Sequence, residues 1–273
     1  MTSFKHLLIG AVGLAMAGSA SFAQDCPTGL ETVREGTLTV AVTTFAPYSF
    51  MDAGNQLSGI DGDIVNAIAE KLCLTVAPLV VDPAAAIQSV IAGRADLTTG
   101  DWYRTVERSR VMSFSDPIYL DSMGIYSRSG TAKVEDLVGQ KVGTVQGYLW
   151  VASLQELLGD DLQLYPSSVN LQQDLKSGRI DFAVDGAAPG QIAMQRGEMG
   201  DLKVAISEPD ERVPASIQPA QVGFPMNRNA DGLVEAVNGA LAQLKEDGRI
   251  VEFLGKYGLG PEFAEVGEPR LVE

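Results

Sequence analysis

The chain has 273 residues, 45% of them hydrophobic and 20% charged, with a formal net charge of −15. That length and balance suffice for one large domain or two modest ones with a buried core. The acidity argues against nucleic acid and against an anionic membrane surface as partners; its plain use is solubility.

Met1–Ala23 reads as a cleavable secretory signal. Lys5 and His6 make a short polar start, Leu7 to Ala17 is an apolar run too short to span a bilayer, and Ser21-Phe22-Ala23 is a small-x-small cleavage site. Lys5 is the one charged side chain there, so cleavage takes the charge from −15 to −16. Ala23-Gln24-Asp25 before Cys26 is not the small apolar set that precedes lipid attachment, so a free soluble protein is expected. The single histidine, His6, leaves with the signal, which removes imidazole-dependent catalysis and most zinc sites. No metal or cofactor is expected. Cys26 and Cys73 are an even pair in an oxidising compartment, which points to a disulfide.

In chain order, Thr37–Val42 alternates as a strand does, and a loop carrying Phe45 follows at its carboxyl end. Ligands bind beyond the carboxyl ends of strands in α/β sheets, so Phe45 is either a wall of a ligand site or a core aromatic. Asp61 stands where an N-cap should, before a helix with Ile64, Val65, Ile68, Ala69 and Leu72 on one face. Leu74–Val81 is the next strand. Asp82-Pro83 opens a helix over 84–91, and Gly93 closes it. A strand over 96–99, an aromatic turn over 100–103 and a polar turn opened by Thr105 come next. A short strand over 112–114 then stops at Pro117. Strand–helix alternation of this kind implies a parallel sheet with helices on its faces.

Arg108 is the principal candidate. A guanidinium meets a carboxylate through two parallel hydrogen bonds and keeps its charge. Trp102 and Tyr103 beside it suit a small anion with some apolar bulk; the alternative is a solvated surface arginine.

The second half repeats the α/β logic. Residues 118–127 are extended and lead across to a new unit. There, residues 141–145 form a strand, Gly147 turns, and a helix is expected over 148–158. Free N–H groups at such a turn make an anion seat. Ser168 is a candidate cap for a helix over 171–176, and a strand then runs to Asp185-Gly186. Residues 220–226 cross back. Asp231 is the expected cap of a helix whose apolar face includes Leu233, Val237, Leu241 and Leu244, and residues 250–257 form the last helix.

Thr105-Val106-Glu107-Arg108 followed by Phe114-Ser115-Asp116-Pro117 resembles the Thr-x-Glu-Arg…Phe-Ser-x-Pro core of the bacterial extracellular solute-binding proteins of family 3. Gly59-Ile60-Asp61-Gly62-Asp63 and Gly139-Gln140-Lys141-Val142-Gly143 match further stretches. The resemblance implies an α/β, two-lobe periplasmic-binding-protein fold of type II. One lobe would be residues 24–119 with 222–273, the other residues 120–221, with two crossover segments and a ligand cleft between the lobes. It implies a periplasmic receptor, working as a monomer, that takes up an amino acid or related carboxylate by lobe closure and docks on the membrane permease of an ABC transporter. Phe45, Trp102, Tyr103 and Arg108 would line one wall, and Gly147, Tyr148 and Asp185 the other. Two departures stand out. The family's ammonium-binding acid falls at Gly186, one residue after Asp185, and a one-residue slip in a strand turns the side chain to the other face. Asp185 is therefore either the amine partner or a solvent-facing acid. Val42 replaces an aspartate that some amino-acid receptors carry. Two other readings remain open: a periplasmic enzyme on the same fold, such as a dehydratase of cyclic carboxylates, and a ligand sensor for a membrane signalling protein.

Overall fold

The computed structural model describes Met1 and residues 26–272; the expected signal and its cleavage site lie outside the described residues. Strand Thr37–Val42 is flanked in parallel by Thr75–Val80 and Leu97–Thr99. Pro225–Met226 then pairs antiparallel with both Leu97–Thr99 and Ser113–Phe114, which completes a first five-stranded sheet. Thr37–Val42 is buried along nearly its whole length, as a strand covered on both faces must be. The helices Ile60–Lys71 and Pro83–Ile91 connect its strands.

The second sheet has the same size. Val142–Val145 runs parallel to Leu162–Tyr165 and to Phe182–Gly186, while Met123–Ser127 pairs antiparallel with Phe182–Gly186 and with Lys203–Ile206. The chain leaves the first sheet after Phe114, and Pro225 is the residue on which it rejoins. Both connections pass side by side, Tyr119–Asp121 antiparallel to Ala220–Val222. Two short paired strands tie the two sheets together, and one continuous apolar cluster includes residues of both, Val40 and Leu97 with Val142 and Val184 among them.

Helices Asp231–Glu246 and Arg249–Lys256 return to the first lobe, where Leu233, Val237, Leu241, Leu244, Ile250 and Leu254 are buried. The tail then comes back to the Arg108 turn: the Val106 amide donates to the Val272 carbonyl at 2.9 Å, and the Val272 amide to the Arg104 carbonyl at 2.9 Å. Cys26 and Cys73 form the expected disulfide, with Cα atoms 5.6 Å apart. No helix among the described residues is long and apolar enough to cross a membrane.

Three expected caps need correction. Asp82 does cap its helix, accepting from the Ala85 amide at 2.8 Å. Asp61 does not: Gly59 holds the N-cap position, and Asp61 turns inward within the first helical turn. Its Oδ2 accepts from the Gly100 and Asp101 amides at 2.8 and 3.0 Å, and its Oδ1 from the Tyr119 hydroxyl at 2.7 Å. Ser167, not Ser168, caps helix Ser168–Ser177, and Ala230 precedes Asp231–Glu246 without a side-chain cap. A cap is a property of one backbone position, and a one-residue shift releases the hydroxyl or carboxylate for tertiary bonds.

Candidate functional site

Asp61 fixes the aromatic turn. Gly100 and Asp101 both have positive φ, 130° and 60°, and their amides converge on one buried carboxylate. Asparagine and aspartate are the non-glycine residues that best tolerate the left-handed region. The turn throws Trp102 and Tyr103 to the carboxyl end of the sheet. Trp102 is locked by its indole N–H, 3.2 Å from both Thr98 Oγ1 and the Thr99 carbonyl.

Thr105 caps the short helix Val106–Ser109 by accepting from the Arg108 amide at 3.1 Å. The Arg108 side chain folds back over Trp102, its guanidinium carbon 4.9 Å from the ring centroid. Nη1 donates to the Tyr103 carbonyl at 2.9 Å, and Nη2 reaches across to the Gly147 carbonyl in the second lobe at 3.0 Å. Desolvation lowers its pKa to about 10, with Glu107 opposing; it is a cation at neutral pH. Arg104, by contrast, is tied to Gln221 Oε1 and to the Arg270 carbonyl, both at 3.1 Å.

The second lobe supplies the facing wall. Trp150 is held by a bond from its indole N–H to Thr144 Oγ1 at 2.7 Å. Its ring meets Tyr103 of the first lobe edge-on at 5.9 Å and Tyr148 at 5.4 Å, and Tyr148 lies 6.2 Å from the Phe45 ring. These rings, with Asp101, Trp102, Arg108, Leu149 and Gly186, surround a small interlobe cavity of about 20 Å³. Phe45, Gly100, Trp102 and Tyr148 also line a larger cleft of about 330 Å³ that extends to Ser167 and Ser168.

The structure thus brings Phe45, Trp102, Tyr103, Arg108 and Tyr148 to one cavity, and Phe45 is both wall and core, being 6% exposed. The helix after Gly147 starts later than expected. It begins at Val151, four residues after that glycine, and the Gly147 carbonyl accepts from Arg108. Asp185 is fully buried, so it is not a solvent-facing acid. Its Oδ1 accepts from Ser168 Oγ at 3.3 Å and from the Gly186 amide at 3.0 Å; Ser168 Oγ also lies 3.1 Å from the Tyr148 hydroxyl. Desolvation raises the Asp185 pKa to about 7. Gly186 is the residue that fronts the central cavity.

Sequence reasoning missed Asp101, Asp121 and Trp150. Asp121, on the first crossing strand, is 1% exposed and accepts from the Tyr103 hydroxyl at 2.9 Å. A buried acid on a crossing strand leaves no periodic signal. Asp101 lay inside the aromatic turn, and its place between a glycine and a tryptophan was the available clue.

Residues 38–260 match the family described as bacterial extracellular solute-binding proteins, family 3. The chain belongs to this family. Among similar proteins, the lysine/arginine/ornithine-binding periplasmic protein of Escherichia coli is 27% identical over 253 residues, covering 90% of this chain and 93% of the other. The L-cystine-binding protein TcyJ of the same organism is 26% identical over 255 residues, covering 90% and 92%. Among solved structures, an ancestral arginine-binding protein bound to glutamine superposes with a TM-score of 0.73 at 27% identity, over 82% of this chain and 99% of that one. The fold is that of the type II periplasmic binding proteins.

Proposed function

We propose that this family 3 protein is the periplasmic receptor of an ABC importer, working as a monomer and taking up an amino acid or a closely related small carboxylate. The observation that carries the reading is Arg108: its fork lies on the Trp102 face at the cavity and spans to the other lobe. A ligand carboxylate replaces the Gly147 carbonyl as acceptor and gains charge-assisted bonds in a desolvated site. Phe45, Trp102, Tyr103, Tyr148 and Trp150 enclose the ligand body.

The proposed lobes are residues 24–119 with 222–273, and residues 120–221, rotating about the paired strands Tyr119–Asp121 and Ala220–Val222. A cavity of about 20 Å³ has room for about one water, so an amino acid enters only when the lobes part. Closure follows because a ligand touching both lobes favours the closed state by its differential affinity. The closed face then docks on the membrane permease. Relatives named for arginine, cystine and histidine support the ligand class.

Titration calorimetry of the mature protein against the standard L-amino acids, ornithine and cystine tests this. Binding of at least one, with the ligand recovered chemically unchanged, is the expected result. Conversion of a bound compound, prephenate included, would instead favour an enzyme.

A further inference from the structure

Asp185 does not line the central cavity: its Oδ1 accepts from Ser168 Oγ, its Oδ2 is buried without a partner, and Gly186 is the neighbour that fronts the cavity. The cavity nevertheless has acid in it, from the opposite side. A methyl group built on Gly186 would come within 2.8 Å of Asp121 Oδ2 and 3.5 Å of Asp101 Oδ2. Both carboxyls face Gly186, a wall position that carries no side chain. Asp101 lines the cavity, is 8% exposed, and its Oδ1 has no hydrogen-bond partner. Asp121 stands behind, steadied by the Tyr103 hydroxyl.

We propose that the Asp101–Asp121 carboxyl pair, seen across the gap left by Gly186, is the seat for the cationic nitrogen of the ligand, with Asp101 Oδ1 as its direct acceptor. This rests on the reading of the protein as an amino-acid receptor and deepens it. The cation seat belongs to the first lobe and the first crossing strand rather than to the second lobe. The ligand class is a zwitterion whose ammonium and carboxylate are close together, because Asp101 and Arg108 line the same small cavity. Two buried carboxyls in contact cannot both ionise cheaply: burial and the neighbouring Asp121 push Asp101 well above the ordinary carboxyl range, and burial pushes Asp121 upward. An arriving ammonium supplies the countercharge that the pair lacks, and its N–H groups satisfy the free oxygen.

The test is calorimetry on the wild type, Asp101→Asn, Asp121→Asn and Asp185→Asn, with circular dichroism confirming folding. Asparagine suits the left-handed backbone at 101 and still accepts from Tyr103 at 121. The probes are the L-amino acids of the panel above and, for each binder, its des-amino carboxylic acid. Expected are binding of the amino acid but not of its des-amino analogue, a loss of at least 100-fold in Asp101→Asn, a loss of at least tenfold in Asp121→Asn, and a change under threefold in Asp185→Asn. Wild-type binding that survives both Asp101→Asn and Asp121→Asn within threefold, or that is abolished by Asp185→Asn alone, overturns the seat and leaves the receptor reading intact. Equal binding of the des-amino compound also overturns it. Binding of none of the panel by the wild type overturns both.

Discussion

Arg108 and Gly147 belong to different lobes, yet Arg108 Nη2 donates to the Gly147 carbonyl at 3.0 Å. One guanidinium therefore links the two lobes at the edge of the cavity it lines. The same side chain is stacked on Trp102 and bonded to the Tyr103 carbonyl, so its geometry is set before a ligand arrives.

Arg108→Ala removes both the bond between the lobes and the proposed carboxylate fork. Truncating one partner of a desolvated, hydrogen-bonded charge pair costs about 2–5 kcal/mol, so ligand affinity by calorimetry falls by that amount. Arg108→Lys keeps the charge but not the fork and lies between alanine and wild type. Unchanged affinity in Arg108→Ala would remove the guanidinium from the ligand site.

Asp61 is the support for the aromatic turn. Asp61→Ala orphans the Gly100 and Asp101 amides and the Tyr119 hydroxyl. Unsatisfied buried donors cost about 1–3 kcal/mol each, so a loss on the order of 3 kcal/mol is expected in urea unfolding. Ligand affinity falls with it, since the turn that carries Trp102 loosens. A stability within 0.5 kcal/mol of wild type, roughly what an ordinary surface site shows, would contradict the clamp.

Asp185 predicts a pH dependence. Its folded pKa, about 7, lies above the reference value of 3.8, so between those values the folded state binds more protons than the unfolded. Its contribution to stability is therefore full below about pH 4 and is lost as the pH rises towards 7. Asp185→Asn has no proton to lose, so it should gain on wild type by a few kcal/mol, to order of magnitude, between pH 4 and pH 8. Parallel melting curves of the two proteins across that range would speak against it.

The Cys26–Cys73 bridge closes a loop with a sequence separation of 47. Loop-closure entropy for that length corresponds to about 4 kcal/mol, with measured bridges commonly giving about 2–4. Cys26→Ser/Cys73→Ser should lower the urea midpoint accordingly while leaving ligand affinity in place, because neither cysteine lines the cavity. A large loss of affinity in the double variant would couple the bridge to the site.

Local pattern in the chain was enough for the strand–helix alternation and the Asp82 cap, which periodicity and turn chemistry carry. The even cysteine pair pointed to the disulfide, and the resemblance carried by the Arg108 motif implied the two crossings and a wall of Phe45, Trp102, Tyr103 and Tyr148 about Arg108. Tertiary structure alone decided where the buried acids went. Pairing of Asp185 with Gly124 and of Gly186 with Met123 set which of two adjacent residues fronts the cavity, and no single strand contains its own register. Packing likewise took Asp61 from a helix cap to a clamp, and brought Asp121 within reach of a turn 20 residues earlier. Carboxylates buried by partners far away in sequence obey no period, so only the folded chain could reveal them.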